Sequence, residues 1–271
     1  MGIFKQTSRL SMLYSIKKIR TKEDINNIFT YLKQYKNILI NLGRNEFYMR
    51  IRYKKWARPE LEASKFYIDN PEEYKGKWKT LYKNQEQPIY LELGCGKGQF
   101  IAKMASKHTE NNYIAIDLVD AMLGLAKRNI EKEYQEAKKE PENVIITRFD
   151  IERIPLILDE KDQIKRIYIN FCNPWPKGKH HKKRLTHTRQ LEKYKTFLSN
   201  DGEIFFKTDD DDLYLASLRY FEESEFEIIS KTEDLHKNQI FPENIVTEHE
   251  NMFTEQGITT KAIIAKLKSK K

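Results

Sequence analysis

Residues 92 to 98, Glu-Leu-Gly-Cys-Gly-Lys-Gly, put a carboxylate and three glycines at the end of the apolar run Ile89, Leu91, Leu93. Such a strand-to-helix turn lets the backbone come close to a ligand, because Gly94, Gly96 and Gly98 carry no Cβ. A second apolar run, Tyr113 to Ile116, ends in Asp117, where nucleotide-binding α/β folds set an acidic residue on ribose hydroxyls. The glycine spacing narrows the ligand. A dinucleotide fingerprint reads Gly-x-Gly-x-x-Gly, with a pyrophosphate at the helix N-terminus. Here it is Gly-x-Gly-x-Gly behind Glu92, whose carboxylate would repel a pyrophosphate but suits a ligand bearing an amino group and a sulfonium. S-adenosylmethionine is such a ligand.

Further chemistry collects at other predicted strand ends. Asp150 follows the third strand and can accept a hydrogen bond from the exocyclic amine of adenine. Asn173-Pro174-Trp175-Pro176 follows the fourth, where a methyl group would meet its acceptor, and its two prolines fix the backbone. The basic run Lys177 to Arg184, Lys-Gly-Lys-His-His-Lys-Lys-Arg, comes next and suits RNA phosphates. His180 and His181 are adjacent in sequence, which argues against a shared metal. Asp209, at the end of a later strand, can face the cleft, while Asp211 and Asp212 are expected to cap the following helix. Thr247-Glu248-His249-Glu250 lies before the last strand, and from the residues alone it reads equally well as surface.

The elements that must position these residues alternate between strand and helix periodicity from Ile89 onward. The reading is α/β: a doubly wound, mainly parallel, seven-stranded Rossmann-like sheet. Strands are expected to Asp117, over 144–149, 166–171, 203–207, 226–230 and 259–267, with helices over 98–107, 121–138, 189–198 and 213–223. Ligands of such sheets bind beyond the carboxyl ends of the strands. Residues 49–88, with a turn at Asn70-Pro71, are expected to pack on this core as an N-terminal segment. Residues 1–48 read as an extension or an upstream in-frame start, since Met49 opens the run Met-Arg-Ile-Arg-Tyr-Lys-Lys-Trp-Ala-Arg.

Composition bounds the class. The chain has 271 residues, 33% charged and 39% hydrophobic, no run of the roughly twenty apolar residues a spanning helix needs, and no signal-peptide pattern. The expectation is a cytoplasmic protein with no membrane and no metal partner, acting as monomer or homodimer. Its two cysteines, Cys95 and Cys172, are expected as reduced thiols. The net charge is +9, but residues 1–48 carry +6 of it, so local clusters matter more than overall basicity.

The chain resembles the bacterial tRNA (guanine-N7)-methyltransferase family from Met49 to about Leu267. The resemblance rests on Trp-Ala-Arg at 56–58, Asn-Pro-Glu-Glu-Tyr-Lys-Gly-Lys-Trp at 70–78 and Glu-Leu-Gly-Cys-Gly-Lys-Gly-Gln-Phe at 92–100. It continues through Asn-Pro-Trp-Pro-Lys at 173–177, Phe-Lys-Thr-Asp at 206–209 and Thr-Glu-His-Glu at 247–250. It implies S-adenosylmethionine as methyl donor and a guanosine of the tRNA variable loop as acceptor. It also implies that Glu92, Gly94, Gly96, Asp117, Asp150 and Asn173 line the cofactor site, and that Lys177, Asp209, Thr247, Glu248, His249 and Glu250 contact the substrate. Lys179, His180, His181, Lys182, Lys183 and Arg184 would touch RNA.

One position departs from the family pattern, which usually has Asp where this chain has Asn173. Asparagine is no general base, and guanine N7 needs none: it offers a lone pair and carries no proton. Positioning and electrostatics should carry the rate, with Asn173 orienting the reactants and Asp209 and Glu250 taking the guanine N1 and N2 donors. Two rivals follow from the same residues. Asn173 to Pro176 partly resembles the Asn-Pro-Pro-aromatic motif of amino-methyltransferases, and a non-catalytic RNA-binding module could use the same scaffold.

Overall fold

The computed structural model describes residues 52–268, so the expectations for residues 1–48 lie outside the described residues. Eight strands form one sheet: β1 (Tyr67–Ile68), β2 (Ile89–Leu93), β3 (Asn112–Asp117), β4 (Val144–Arg148), β5 (Ile164–Asn170), β6 (Leu198–Thr208), β7 (Phe226–Thr232) and β8 (Lys261–Leu267). Their spatial order is β1-β4-β3-β2-β5-β6-β8-β7. All pairs are parallel except β6 with β8 and β7 with β8. Among the described residues, six α-helices accompany them: α1 (Ala57–Glu62), α2 (Gln99–Lys107), α3 (Asp120–Glu136), α4 (Thr188–Tyr194), α5 (Asp211–Glu223) and α6 (Glu248–Glu255). No helix among the described residues is long and apolar enough to cross a membrane.

The sheet has one strand more than the seven expected. β1 comes from the N-terminal segment, pairs with β4 and is only two residues long, too short to leave a periodic signal. That segment is also tied down at Trp78, which is fully buried and donates its indole N–H to the Ile157 carbonyl at 2.7 Å. Asp162 accepts from the backbone N–H groups of Gly76, Trp78 and Asp159.

The central strands are apolar on both faces because both faces are covered, as parallel strands require. Ile89, Leu91, Leu93, Ile114 and Ile116 join one core layer with Phe206, Leu213 and Phe221. Tyr113, Ala115, Tyr168 and Phe205 point the other way and meet Ile101, Leu123 and Ile130 of α2 and α3. Strand order reverses between β2 and β5, so the loops leaving these neighbours diverge and open a crevice at their carboxyl ends. β6 begins at Leu198, earlier than the strand expected over 203–207, and carries a register irregularity opposite β5. The cap of α5 is Asp210, whose side chain accepts from Leu213 N at 2.7 Å; Asp211 and Asp212 occupy the first turn instead.

Candidate active site

A cleft of about 210 Å³ opens where β2 and β5 part, lined by Glu92, residues 94–100, Met122, Asn170, Phe171 and Thr247, Glu248 and His249. Glu92, on the last turn of β2's pleat, is 2% exposed. Its Oε1 accepts from Asn170 Nδ2 at 3.1 Å, while its Oε2 is buried with no hydrogen-bond partner. Burial pushes this carboxyl up to about 8, against the opposing effects of Asn170 and Lys207. A buried, half-satisfied carboxylate at the floor of a cleft asks for a cation or a donor.

The loop after it is held from behind. Asp117 accepts from Gly96 N and from Val119 N, both at 2.9 Å, so its carboxylate fixes the glycine turn, and burial raises its pKa despite these bonds. Gly96 has φ +53°, and a Cβ there would meet nothing within 4 Å: the space above the turn is open to a ligand. Gly98 is different. At φ +69° its missing Cβ would lie 2.5 Å from Ala126 Cβ, so here glycine serves the close approach of α2 and α3.

The opposite wall is the N-terminus of α6. Thr247 caps it, accepting from Glu250 N, and Glu248 reaches across to Lys97 at 2.8 Å. That bond lowers the Glu248 carboxyl. Beneath, Lys207 and Glu250 form a pair at 2.8 Å with both side chains 0% exposed. Lys207 also donates to Asn244 Oδ1 and the Ile245 carbonyl, and Asn244 Nδ2 donates to Glu250 Oε1. Burial pulls the Lys207 ammonium down and the Glu250 carboxylate pulls it back up.

These positions correct two expectations. Glu250 does not face a guanine: both its oxygens are bonded inside the protein, and it anchors α6 to the end of β6. Arg184 does not present its guanidinium to RNA, since it is 2% exposed and donates to the Pro174 carbonyl at 2.7 Å, bracing the loop after β5.

The cleft gathers Glu92, Gly94, Gly96, Thr247, Glu248 and His249. Asp150, Asn173, Lys177 and Asp209 lie outside its lining. Asp150 Oδ1 caps the 3-10 turn Ile151–Leu156 by accepting from Glu152 N. Asn173 is exposed and its Oδ1 accepts from Trp175 N at 3.0 Å, shaping the turn. The Asp209 charge reaches Cys172, which burial pushes up to about 12, so Asp209 sits beside the same loop. Lys177, Lys179, Lys182 and Lys183 are exposed in or next to the 3-10 turn Gly178–Lys183, with His180 and His181 half-buried among them. Partial desolvation and then Lys179, Lys183 and Lys177 lower the His180 pKa. Lys183 Nζ lies 5.0 Å from the Trp175 ring, which makes that tryptophan a prop for the basic turn.

Sequence reasoning missed Lys207 and Phe171. Lys207 was signalled by its place after Ile204-Phe205-Phe206, a cation directly after an apolar run. Phe171 had no signal in type or spacing; its φ of +50° and its place on the cleft wall appear only in the fold.

With this geometry in view, the chain was compared with known proteins. A family model described as a putative methyltransferase matches residues 86–263. A tRNA (guanine-N(7)-)-methyltransferase of Clostridium perfringens is 59% identical over 218 residues, covering 80% of this chain and 99% of that protein. One of Acetivibrio thermocellus is 52% identical over 220 residues, covering 81% and 100%. Among solved structures, the 16S rRNA methyltransferase KamB aligns with TM-score 0.50 at 10% identity, covering 80% of this chain and 94% of that one, a likeness of fold.

Proposed function

The chain belongs to the tRNA (guanine-N7)-methyltransferase family, and on that premise we propose that its cleft holds S-adenosylmethionine and delivers a guanosine of the tRNA variable loop to it. The activity is methylation of guanine N7 in tRNA, with S-adenosylmethionine as cofactor. The observation that carries the site reading is the orphaned Glu92 Oε2 in a cleft whose lining also includes the open turn at Gly96. Those residues fit the cofactor: a cationic pole on Glu92, and the glycine turn close to its body. Asp117 and Asp150 would meet its ribose and adenine. When bound, the group supplies an electrophilic methyl on a sulfonium.

The chain's own residues need not move a proton, because guanine N7 carries none. Asn173, through the turn it shapes at Trp175, would keep the loop after β5 in place against the acceptor base. Asp209 would take guanine N–H donors, and Lys177, Lys179, His180, His181, Lys182 and Lys183 would hold the phosphates. Glu250 acts at one remove by holding Thr247, Glu248 and His249 at the cleft. A reacting base would thus meet positioned donors and acceptors in a partly desolvated cleft.

Residues 1–48 we read as an extension dispensable for this activity. Several relatives are matched over 98–100% of their length by 217–220 residues of the chain, which supports that reading. A cytoplasmic setting follows from a tRNA substrate.

The experiment is nucleoside analysis of a tRNA transcript after incubation with the protein and S-adenosylmethionine, for the full chain and for a chain starting at Met49. 7-Methylguanosine from both is expected. N6-methyladenosine instead would favour the amino-methyltransferase reading, and no binding of S-adenosylmethionine would favour an RNA-binding module.

A further inference from the structure

Phe171 and His249 face one another in the lining of the cleft, and the contacts proposed above for the methyl donor involve neither ring. Phe171 follows β5 with φ +50°, a region bulky residues rarely adopt. The fold holds it there: its amide donates to the Lys207 carbonyl at 2.9 Å, carrying the β5–β6 ladder one residue past the strand. His249, exposed on the first turn of α6, is nearly parallel to it, with an interplanar angle of 26° and ring centroids 6.1 Å apart. Stacked rings sit about 3.5 Å apart, so a third ring between two others needs about 7 Å. Rotation about the exposed His249 side-chain bonds would open the space between the two rings to what a flat base needs.

We propose that Phe171 and His249 form an aromatic clamp for the target guanine, and that the clamp grips the purine more tightly as it becomes cationic. This rests on the function proposed above. Methylation at N7 spends the lone pair on the new N–C bond and releases no proton; the C–S bond breaks with its electron pair on sulfur, so the positive charge ends on the purine. A neutral guanine gains stacking alone, whereas a cationic purine also gains attraction to the negative faces of the rings. An interaction that grows along the reaction raises the rate of the chemical step and not only binding. The Lys207 ammonium, 5.7 Å from the Phe171 ring, would oppose this if unpaired. Its partner Glu250 at 2.8 Å cancels it, which gives the buried pair a reason to lie under this ring.

The test uses the full chain with Phe171→Leu, Phe171→Tyr, His249→Ala and His249→Phe. Its readouts are single-turnover methyl transfer, affinity for S-adenosylmethionine by calorimetry, and affinity for one tRNA with and without 7-methylguanosine. Stacking on one aromatic is worth about 5- to 150-fold. Phe171→Leu and His249→Ala are expected to slow the single turnover by that range and to abolish the preference for methylated tRNA, with cofactor affinity within about twofold of wild type. Phe171→Tyr and His249→Phe should retain both. His249→Ala, at an exposed position, keeps the test decisive if Phe171→Leu does not fold. Wild-type turnover and tRNA preference in His249→Ala, or in a folded Phe171→Leu, would overturn the clamp alone. Absence of 7-methylguanosine with wild-type protein would overturn the activity and the clamp with it.

Discussion

Glu92→Gln should make the protein more stable and its cofactor binding weaker, and the two effects share one cause. In the unfolded chain the carboxyl titrates near 4.5, whereas burial in the free fold pushes it up to about 8. At pH 7 the fold therefore holds a proton that the unfolded chain has released. The 2.5 units between 4.5 and pH 7, at 1.36 kcal/mol each, amount to roughly 3 kcal/mol of destabilisation. The sign follows: because the folded value is raised, stability falls as pH rises from about 4.5 to about 8 and is flat on either side for this group. Glutamine keeps the acceptor for Asn170 and escapes that penalty, so Glu92→Gln should raise stability at pH 7 by roughly 3 kcal/mol, and leave it unchanged near pH 4. Binding runs the other way. A cationic ligand requires the ionised carboxylate, so wild-type affinity for S-adenosylmethionine should climb up to tenfold per pH unit toward pH 8 and then level, with a proton released on binding. Above pH 8 the variant should bind about 10- to 150-fold more weakly, the worth of a charge-assisted hydrogen bond. Calorimetry from pH 6 to 9 in two buffers of different ionisation heat, beside urea titrations, measures all of this. PH-independent affinity without proton release, or a less stable Glu92→Gln, would refute the reasoning.

Other consequences are as direct. Gly98→Ala drives a Cβ to within 2.5 Å of Ala126 Cβ at φ +69°, so a loss of about 2–4 kcal/mol in chemical denaturation is expected. Lys207→Met leaves the Glu250 carboxylate buried without its counter-charge and should cost about 3–5 kcal/mol, most of it regained in the double variant with Glu250→Gln, as thermal unfolding would reveal. Lys179→Ala and Lys183→Ala should each flatten the salt dependence of tRNA binding by about 0.7–0.9 in log–log slope, while Arg184→Ala, whose guanidinium is turned to Pro174, should weaken the fold and leave the slope alone. Asn173→Ala removes the acceptor for Trp175 N and should slow methyl transfer by about tenfold with cofactor affinity retained, in a single-turnover assay.

Much of this was legible in residue order because it depends on local rules. The carboxylate and glycines of 92–98, the acidic end of β3 and the apolar runs of β2 to β6 announce a Rossmann-like sheet with a glycine turn at its rim, since a parallel strand must be apolar on both faces and a tight turn must lack side chains. Sheet order was not written there, nor was β1, whose two residues lie 79 positions from their partners in β4. The roles of charged residues also divide along this line. Lys179 and Lys183 are exposed, as a basic run suggests, yet Arg184 in the same run is sealed against Pro174, and Glu250, the residue after the exposed His249 of the cleft wall, is sealed against Lys207. Spacing along the chain gives each residue's chemistry but not its dielectric surroundings. Sequence alone therefore determined the glycine turn, the fold class and the family. Only the tertiary structure decided which carboxylate would be left half-paired in the cleft, which would be neutralised beneath it, and that Phe171 would face His249, because those outcomes depend on burial and on distances between segments far apart in the chain.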